Sequence, residues 1–303
     1  SRIIDVRVST IPTEFGETVV MRLLDSGKKF ATFEELGFGS DHLELLHELS
    51  KLSQGMILVT GPTGSGKTTS LYSMLNLYNS PEKKIITLED PIEYHLDRVV
   101  QSQIEPKKGY DFNKGLVSIL RQDPDVVMIG EIRDSETAST ALQAALTGHV
   151  LLSTLHTNSA LESIPRLINM GLEPFMIAPA LDAIMAQRLV RTFCPHCKST
   201  EAVSDIDAKY IQKILGESVE IPTELNKAVG CEKCNHTGYL GRIVIAEIFR
   251  VDGAFKEMII KKATTQELET KANALGLRNM KQDGILKVFA GKTSLNEIRR
   301  VTN

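Results

Sequence analysis

Residues Gly61-Pro62-Thr63-Gly64-Ser65-Gly66-Lys67-Thr68-Thr69 fill the G-x-x-x-x-G-K-[ST] template of a phosphate-binding loop. Chemistry on a polyphosphate needs each of these residue types. Glycines let backbone N–H groups close around phosphate oxygens, a lysine reaches the β- and γ-phosphates, and a hydroxyl ligates Mg²⁺. Here Lys67 is that lysine and Thr68 the Mg²⁺ ligand. The apolar run Met56 to Thr60 reads as a buried strand entering the loop, and Ser70 to Leu77 as a helix leaving it, as the motif requires. Gly291-Lys292-Thr293 is a partial match only, with Leu286 where the first glycine should stand.

A second chemistry is written in the cysteines. Cys194, Cys197, Cys231 and Cys234 form two C-x-x-C pairs. A thiolate pair at i and i+3 holds one edge of a tetrahedron, and two pairs make a closed Cys₄ Zn²⁺ site with no open position for catalysis. Disulfides are the competing reading, which a reducing cytoplasm disfavours. His196 and His236 could substitute as ligands, but with four thiolates available they read as supporting or surface residues. A nucleic-acid-binding zinc ribbon would want aromatic and basic residues interleaved with the pairs, and these are sparse.

Three acidic or histidine-bearing motifs accompany strands, where open α/β folds place ligand-facing loops. Glu89-Asp90-Pro91-Ile92-Glu93 follows a strand at Lys84 to Leu88. Asp125 to Glu131 is an apolar strand ending in an acid, the Walker B arrangement, suited to holding the water around Mg²⁺ or polarising an attacking water. Thr147-Gly148-His149 and Ser153 to Asn158, including His156, bracket a strand at Val150 to Leu155, where a histidine could sense the γ-phosphate. An acid after a strand also serves as a helix N-cap, and a lone histidine is often structural, so Asp90 and His149 stay open between the two readings.

The elements that must position these groups follow from pattern. Ile3 to Val8 and Thr18 to Leu24 alternate as two strands joined across Pro12 and Gly16, with Ser26-Gly27 breaking the pattern. They read as the end of a preceding domain. An amphipathic helix spans Asp41 to Leu52, and the later strands alternate with helices, which means a parallel α/β sheet. The insert between the cysteine pairs holds one short helix, capped by Ser204 and ended at Gly216. A strand at Arg242 to Phe249 returns to the core, and helices follow at Asp252 to Lys261, Thr265 to Leu275, Arg278 to Ala290 and Ser294 to Arg300. The expected division is 1–29 for a domain remnant and linker, 30–190 for the nucleotide core, 191–241 for the zinc subdomain and 242–303 for the returning strand and helical tail.

With 303 residues, 42% hydrophobic and 24% charged, the chain has the composition of a globular protein with a large core. Its net charge of −3 gives no general pull toward nucleic acid. No apolar run approaches the roughly 20 residues of a membrane span and no signal peptide is visible, so the expectation is a cytoplasmic chain with indirect membrane association. Starting at Ser1 within a strand pattern, it reads as a fragment of a longer protein.

The motifs together resemble the secretion and pilus-assembly ATPases of the GspE/PilB type, in the bacterial type II secretion and type IV pilus family that also has VirB11-like and PilT-like branches. The resemblance rests on GPTGSGKTT at Gly61 to Thr69, ITLEDPIEY at Ile86 to Tyr94 (the Asp box), LRQDPDVVMIGEIRD at Leu120 to Asp134 (Walker B) and TGHVLLSTLHTN at Thr147 to Asn158 (the His box). RVSTIPTEFGETVVMRLLD at Arg7 to Asp25 and QRLVRTFCPHC at Gln187 to Cys197 also match. The resemblance implies a RecA-like P-loop ATPase core preceded by the end of a PAS-like α+β domain, with nucleotide between the two lobes of each subunit of a homo-hexamer. It carries catalytic glutamates to Glu131 and Glu93, His-box histidines to His149 and His156, with His156 watching the γ-phosphate, and nucleotide-facing arginines to Arg7 and Arg22.

The resemblance also implies ATP, Mg²⁺ and a structural Zn²⁺ as cofactors. The paired cysteines are similar to those of the secretion and pilus-extension branch. That branch implies an inner-membrane platform protein and other machinery components as partners, peripheral attachment at the inner face of the bacterial inner membrane, and no nucleic acid. The segment Arg242 to Glu247 departs from the pattern, since members more often carry a Gly-containing segment after the arginine. The alternatives are a RecA-like nucleic-acid translocase or DNA-uptake ATPase, and a scaffold that binds nucleotide without hydrolysing it, against which the full set of acids argues.

Overall fold

The computed structural model describes residues 4–24 and 31–302. Ile3, the Ser26-Gly27 break, the linker expected up to Phe30 and the final Asn303 lie outside the described residues. The strands in chain order are β1 (Asp5–Thr13), β2 (Gly16–Leu24), β3 (Gly55–Thr60), β4 (Ile85–Glu89), β5 (Val99–Gln103), β6 (Val126–Ile129), β7 (Val150–Leu155), β8 (Leu181–Phe193), β9 (Ser199–Ala202), β10 (Glu224–Lys227) and β11 (Tyr239–Arg250). The helices are α1 (Phe33–Leu36), α2 (Ser40–Leu49), α3 (Lys67–Tyr78), α4 (Phe112–Leu120), α5 (Ser135–Leu146), α6 (Ser163–Asn169), α7 (Pro174–Ala180), α8 (Asp205–Leu215), α9 (Gly253–Ile260), α10 (Thr265–Ala274), α11 (Met280–Phe289) and α12 (Leu295–Thr302).

Strands made mostly of apolar residues are covered on both faces in a parallel sheet. Accordingly β3, β4, β6 and β7 are buried at every position and form the middle of a seven-stranded sheet ordered β11-β8-β3-β7-β6-β4-β5. All its pairings are parallel except that of β11 with β8. Successive side chains of a strand point to opposite faces, so each strand feeds two cores. Ile57, Val59, Met128 and Leu152 share one core with α2 and α3, while Met56, Leu58, Ile129 and Leu151 belong to a second core that also takes in α5, α7, α9 and α11. At one edge, Gly37 at φ +90 packs against Ile243, where a Cβ would stand 2.9 Å from Ile243 Cβ. The Arg242–Glu247 segment is therefore accommodated by a glycine on the facing α1 turn.

Two departures from the sequence reading have physical causes. The long strand β8 is rich in Ala, Leu, Met, Gln and Arg, all good helix formers, yet it sits buried between β3 and β11, where tertiary packing overrides propensity. The cysteine insert contains a β9–β10 hairpin beside its expected helix; β9 is wholly exposed and shows no apolar alternation to mark it. The Ser204 cap and the Gly216 end of α8 are as expected. β8 continues through positions 190/191 and β11 through 241/242, with a shift in their pairing between Tyr239 and Arg242, so the cysteine segment grows from two strands of the main sheet.

β1 and β2 pair antiparallel with Arg7 opposite Arg22. Val8, Val20, Met21 and Leu23 of this hairpin are exposed.

Candidate active site

The phosphate loop leaves the carboxyl end of β3 and closes on the first turn of α3. Gly66 caps that helix in the left-handed region at φ +89, where a side chain would be strained. A Cβ on Gly61 would lie 2.6 Å from the Gln187 carbonyl oxygen. Gln187 of β8 also braces the loop, its Nε2 donating to Ser65 O at 2.8 Å. The first four N–H groups of a helix have no intrahelical partner, which leaves those of Gly66, Lys67, Thr68 and Thr69 for a ligand. The Thr68 hydroxyl belongs to an exposed residue of that first turn, while Ser65 Oγ is buried without a hydrogen-bond partner. This cradle fits a polyphosphate and its Mg²⁺. Lys67 Nζ arches back to donate to the Gly61 and Pro62 carbonyls at 2.8 and 3.2 Å. Burial lowers its pKa, against the opposing charge of Glu131.

A cleft of about 420 Å³ opens over the loop, within the range of small-molecule sites. Asp90, Glu93, Glu131, His156 and Arg22 line it with the loop. Glu131 and His156 leave the adjacent strands β6 and β7, and His156 Nε2 lies 3.4 Å from Glu131 Oε2. Glu131 also accepts a hydrogen bond from Arg133. Burial pushes its pKa up, but Arg133 and His156 together outweigh this and hold the carboxyl below its usual range. Across the cleft, Arg7 Nη1 stands 3.5 Å from Glu93 Oε1. Since Arg7 and Arg22 are cross-strand partners, their side chains leave the same face of the hairpin.

His149 is placed elsewhere. It precedes β7, its Nδ1 meets Ala144 O at 3.0 Å, and six strand residues, about 20 Å of chain, separate it from His156. The His box therefore does not converge on the loop as a unit, because its two histidines stand at opposite ends of one strand. Asp125 likewise sits at the far end of β6, where it accepts from Lys84 N at 2.6 Å.

The site also includes residues to which the sequence reading gave no role. Arg242 of β11 lines it, and Arg133 partners Glu131. Arg133 had a local signal, lying two residues beyond the Walker B acid. Arg242 reaches the cleft only because β11 pairs with β8, which no short-range pattern reveals.

The four cysteine sulfurs lie within 4.8 Å of one another, and His196 and His236 are exposed outside that cluster. Cys194–Cys231, Cys197–Cys234 and Cys231–Cys234 are separated by 3.9, 3.8 and 3.8 Å. Zn–S bonds of about 2.3 Å in a tetrahedron give edges of about 3.8 Å, so the donor set fits a structural Zn²⁺. Burial raises the Cys234 pKa, but the N–H groups of Cys231 and Gly238, each 3.2 Å from its sulfur, lead the effects that bring it down to about 6.

The family model described as type II/IV secretion system protein matches residues 1–300. The type II secretion system ATPase E of Vibrio cholerae is 48% identical over 301 residues, covering 99% of this chain and 59% of that protein. The type IV pilus assembly ATPase PilB of Pseudomonas aeruginosa is 45% identical over 303 residues, covering 99% of this chain and 52% of that protein. The chain thus spans little more than half the length of these relatives. The crystal structure of the pilus retraction motor PilT with bound ADP superimposes with a TM-score of 0.67 at 26% identity, covering 98% of this chain and 77% of that one. With the family model matching nearly all of its 303 residues, the chain belongs to the type II/IV secretion system protein family.

Proposed function

We propose that this chain is the ATP-hydrolysing motor region of a type II secretion or type IV pilus system, converting hydrolysis into lobe motion that drives pilus or pseudopilus assembly. One observation carries the reading: the phosphate loop, Glu131, Glu93, His156 and Arg22 line one cleft, with Arg7 on Glu93 at its rim. Lys67 and the loop amides balance phosphate charge, and Thr68 would hold Mg²⁺, which would offset further phosphate charge when bound. Glu131 and Glu93 orient or deprotonate the attacking water, His156 senses the γ-phosphate beside Glu131, and Arg7 and Arg22 add positive charge from the hairpin. This reading divides the chain into a domain remnant and linker at 1–29, the nucleotide core at 30–190, a subdomain clipped by one Zn²⁺ at 191–241, and the returning strand and tail at 242–303.

The working assembly in this reading is a homo-hexamer on the cytoplasmic face of the inner membrane, bound peripherally to a membrane platform protein. Among the described residues, no helix is long and apolar enough to cross a membrane. The relatives' names support secretion and pilus assembly, and none of those reported points to a nucleic-acid translocase. Phosphate release from Mg·ATP tests the reading. Wild-type protein is expected to turn over, and Lys67→Ala to lose about 100-fold or more with an unchanged melting temperature, because its amine touches loop carbonyls and not the core. Equal turnover by the two proteins contradicts it.

A further inference from the structure

Tyr72 lies one helical turn beyond Thr68 on α3, so the two side chains share a face, and helical side chains lean toward the amino end. The tyrosine is 1% exposed. Its hydroxyl donates to the Glu89 carboxylate and accepts the Glu93 N–H at 3.3 Å. Burial, then the Glu89 charge, push the phenol pKa up, so the proton stays on Tyr72 and the bond directions are fixed. Glu89 is itself held still. Its Oε1 accepts from the Thr87 hydroxyl at 2.6 Å and from Gln101 Nε2 at 3.0 Å. Gln101 also donates to Tyr94 O at 2.9 Å and accepts from Leu96 N at 2.7 Å, while the Tyr72 and Tyr94 rings meet edge to face at 6.0 Å. The loop that carries Glu93 is therefore tied on its inner side to the helix that carries Lys67 and Thr68.

We propose that Tyr72 is a positioning residue for Glu93, its buried hydroxyl seated on Glu89 and fixing the Glu93 backbone relative to the first turn of α3. The inference rests on the reading of Glu93 as a group acting on the hydrolytic water. A side chain that only filled the core would lose stability when altered, with no preference for kcat over KM and no coupling to Glu93.

The test is a double-mutant cycle in the full chain. Tyr72→Phe keeps the ring, and Thr87 and Gln101 still hold Glu89, so the variant retains a paired carboxylate. It is expected to lower kcat about fivefold or more while KM for ATP moves less than about twofold. In a Glu93→Gln background the same change is expected to cost less than about twofold, because the group it positions is already gone. An equal loss in both backgrounds, or an undiminished kcat for Tyr72→Phe alone, overturns the positioning role. Wild-type turnover by Glu93→Gln alone overturns instead the reading of Glu93 on which it rests.

Discussion

His156 Nε2 stands 3.4 Å from Glu131 Oε2 because β6 and β7 are parallel neighbours, with Ile129 beside Ser153 in the register. The carboxylate follows its strand by two residues and the imidazole by one, so the sheet itself decides that they meet. Arg133 and His156 keep Glu131 ionised, and its charge acts on Lys67 across the cleft. An acid and a histidine on neighbouring strand ends thus face a lysine on the first turn of α3, the arrangement from which the hydrolytic reading follows.

The two arginines of the hairpin are expected to act on turnover more than on binding. A guanidinium that meets developing phosphoryl charge stabilises the transition state beyond the ground state. Arg7→Ala and Arg22→Ala should each lower kcat by about tenfold or more while a fluorescent ATP analogue still binds. Unchanged kcat in both variants would return these residues to the solvated surface.

The cysteine cluster should hold one Zn²⁺ per chain by metal analysis of protein purified without chelator. Cys194→Ser should lower the melting temperature of the segment from Cys194 to Gly241 and leave nucleotide affinity within about twofold, since a closed tetrahedral site has no position open for chemistry. Absence of zinc would remove the proposal. Turnover that vanished on zinc removal from a folded chain would make the metal catalytic.

Glu297 of α12 supplies a pH-dependent contribution to stability. Its carboxylate accepts from Arg191 N and Nη2 on β8 at 3.0 and 2.6 Å and from Arg300 Nε and Nη2 at 2.9 and 2.8 Å. Burial raises its pKa, but these donors dominate and hold it down at about 2, from an ordinary 4.5. A carboxyl with a depressed folded pKa stabilises fully above its unfolded value and loses that stabilisation as pH falls through the folded one. Glu297→Gln should therefore melt below wild type at pH 7, and the gap should narrow as pH falls from about 4.5 toward 2. A gap independent of pH over that window would contradict the assignment.

Much of the site was legible in the sequence because its signals are local. The phosphate loop is a contiguous template, β6 is an unbroken apolar run, and β3 and β7 are mostly apolar runs of strand length. The four cysteines carry their geometry in their spacing. What escaped depends on chain segments far apart. β8 is composed of helix formers and becomes a strand only between β3 and β11, and β5 is half polar at the sheet edge. Gln187, Arg242 and the Tyr72–Glu89 pair acquire roles through contacts across the fold, and His149 shares a motif with His156 but not an end of the sheet.

The most direct test of the hydrolytic reading is Glu131→Gln, assayed for analogue binding and for phosphate release under the same Mg·ATP conditions. The amide keeps the size of the side chain but cannot serve as a base or carry the carboxylate charge beside Arg133 and His156. The expected result is analogue affinity within about threefold of wild type and phosphate release slower by about 100-fold or more. Phosphate release at the wild-type rate would contradict the assignment of Glu131 and, with it, the account of the cleft as a site of ATP hydrolysis.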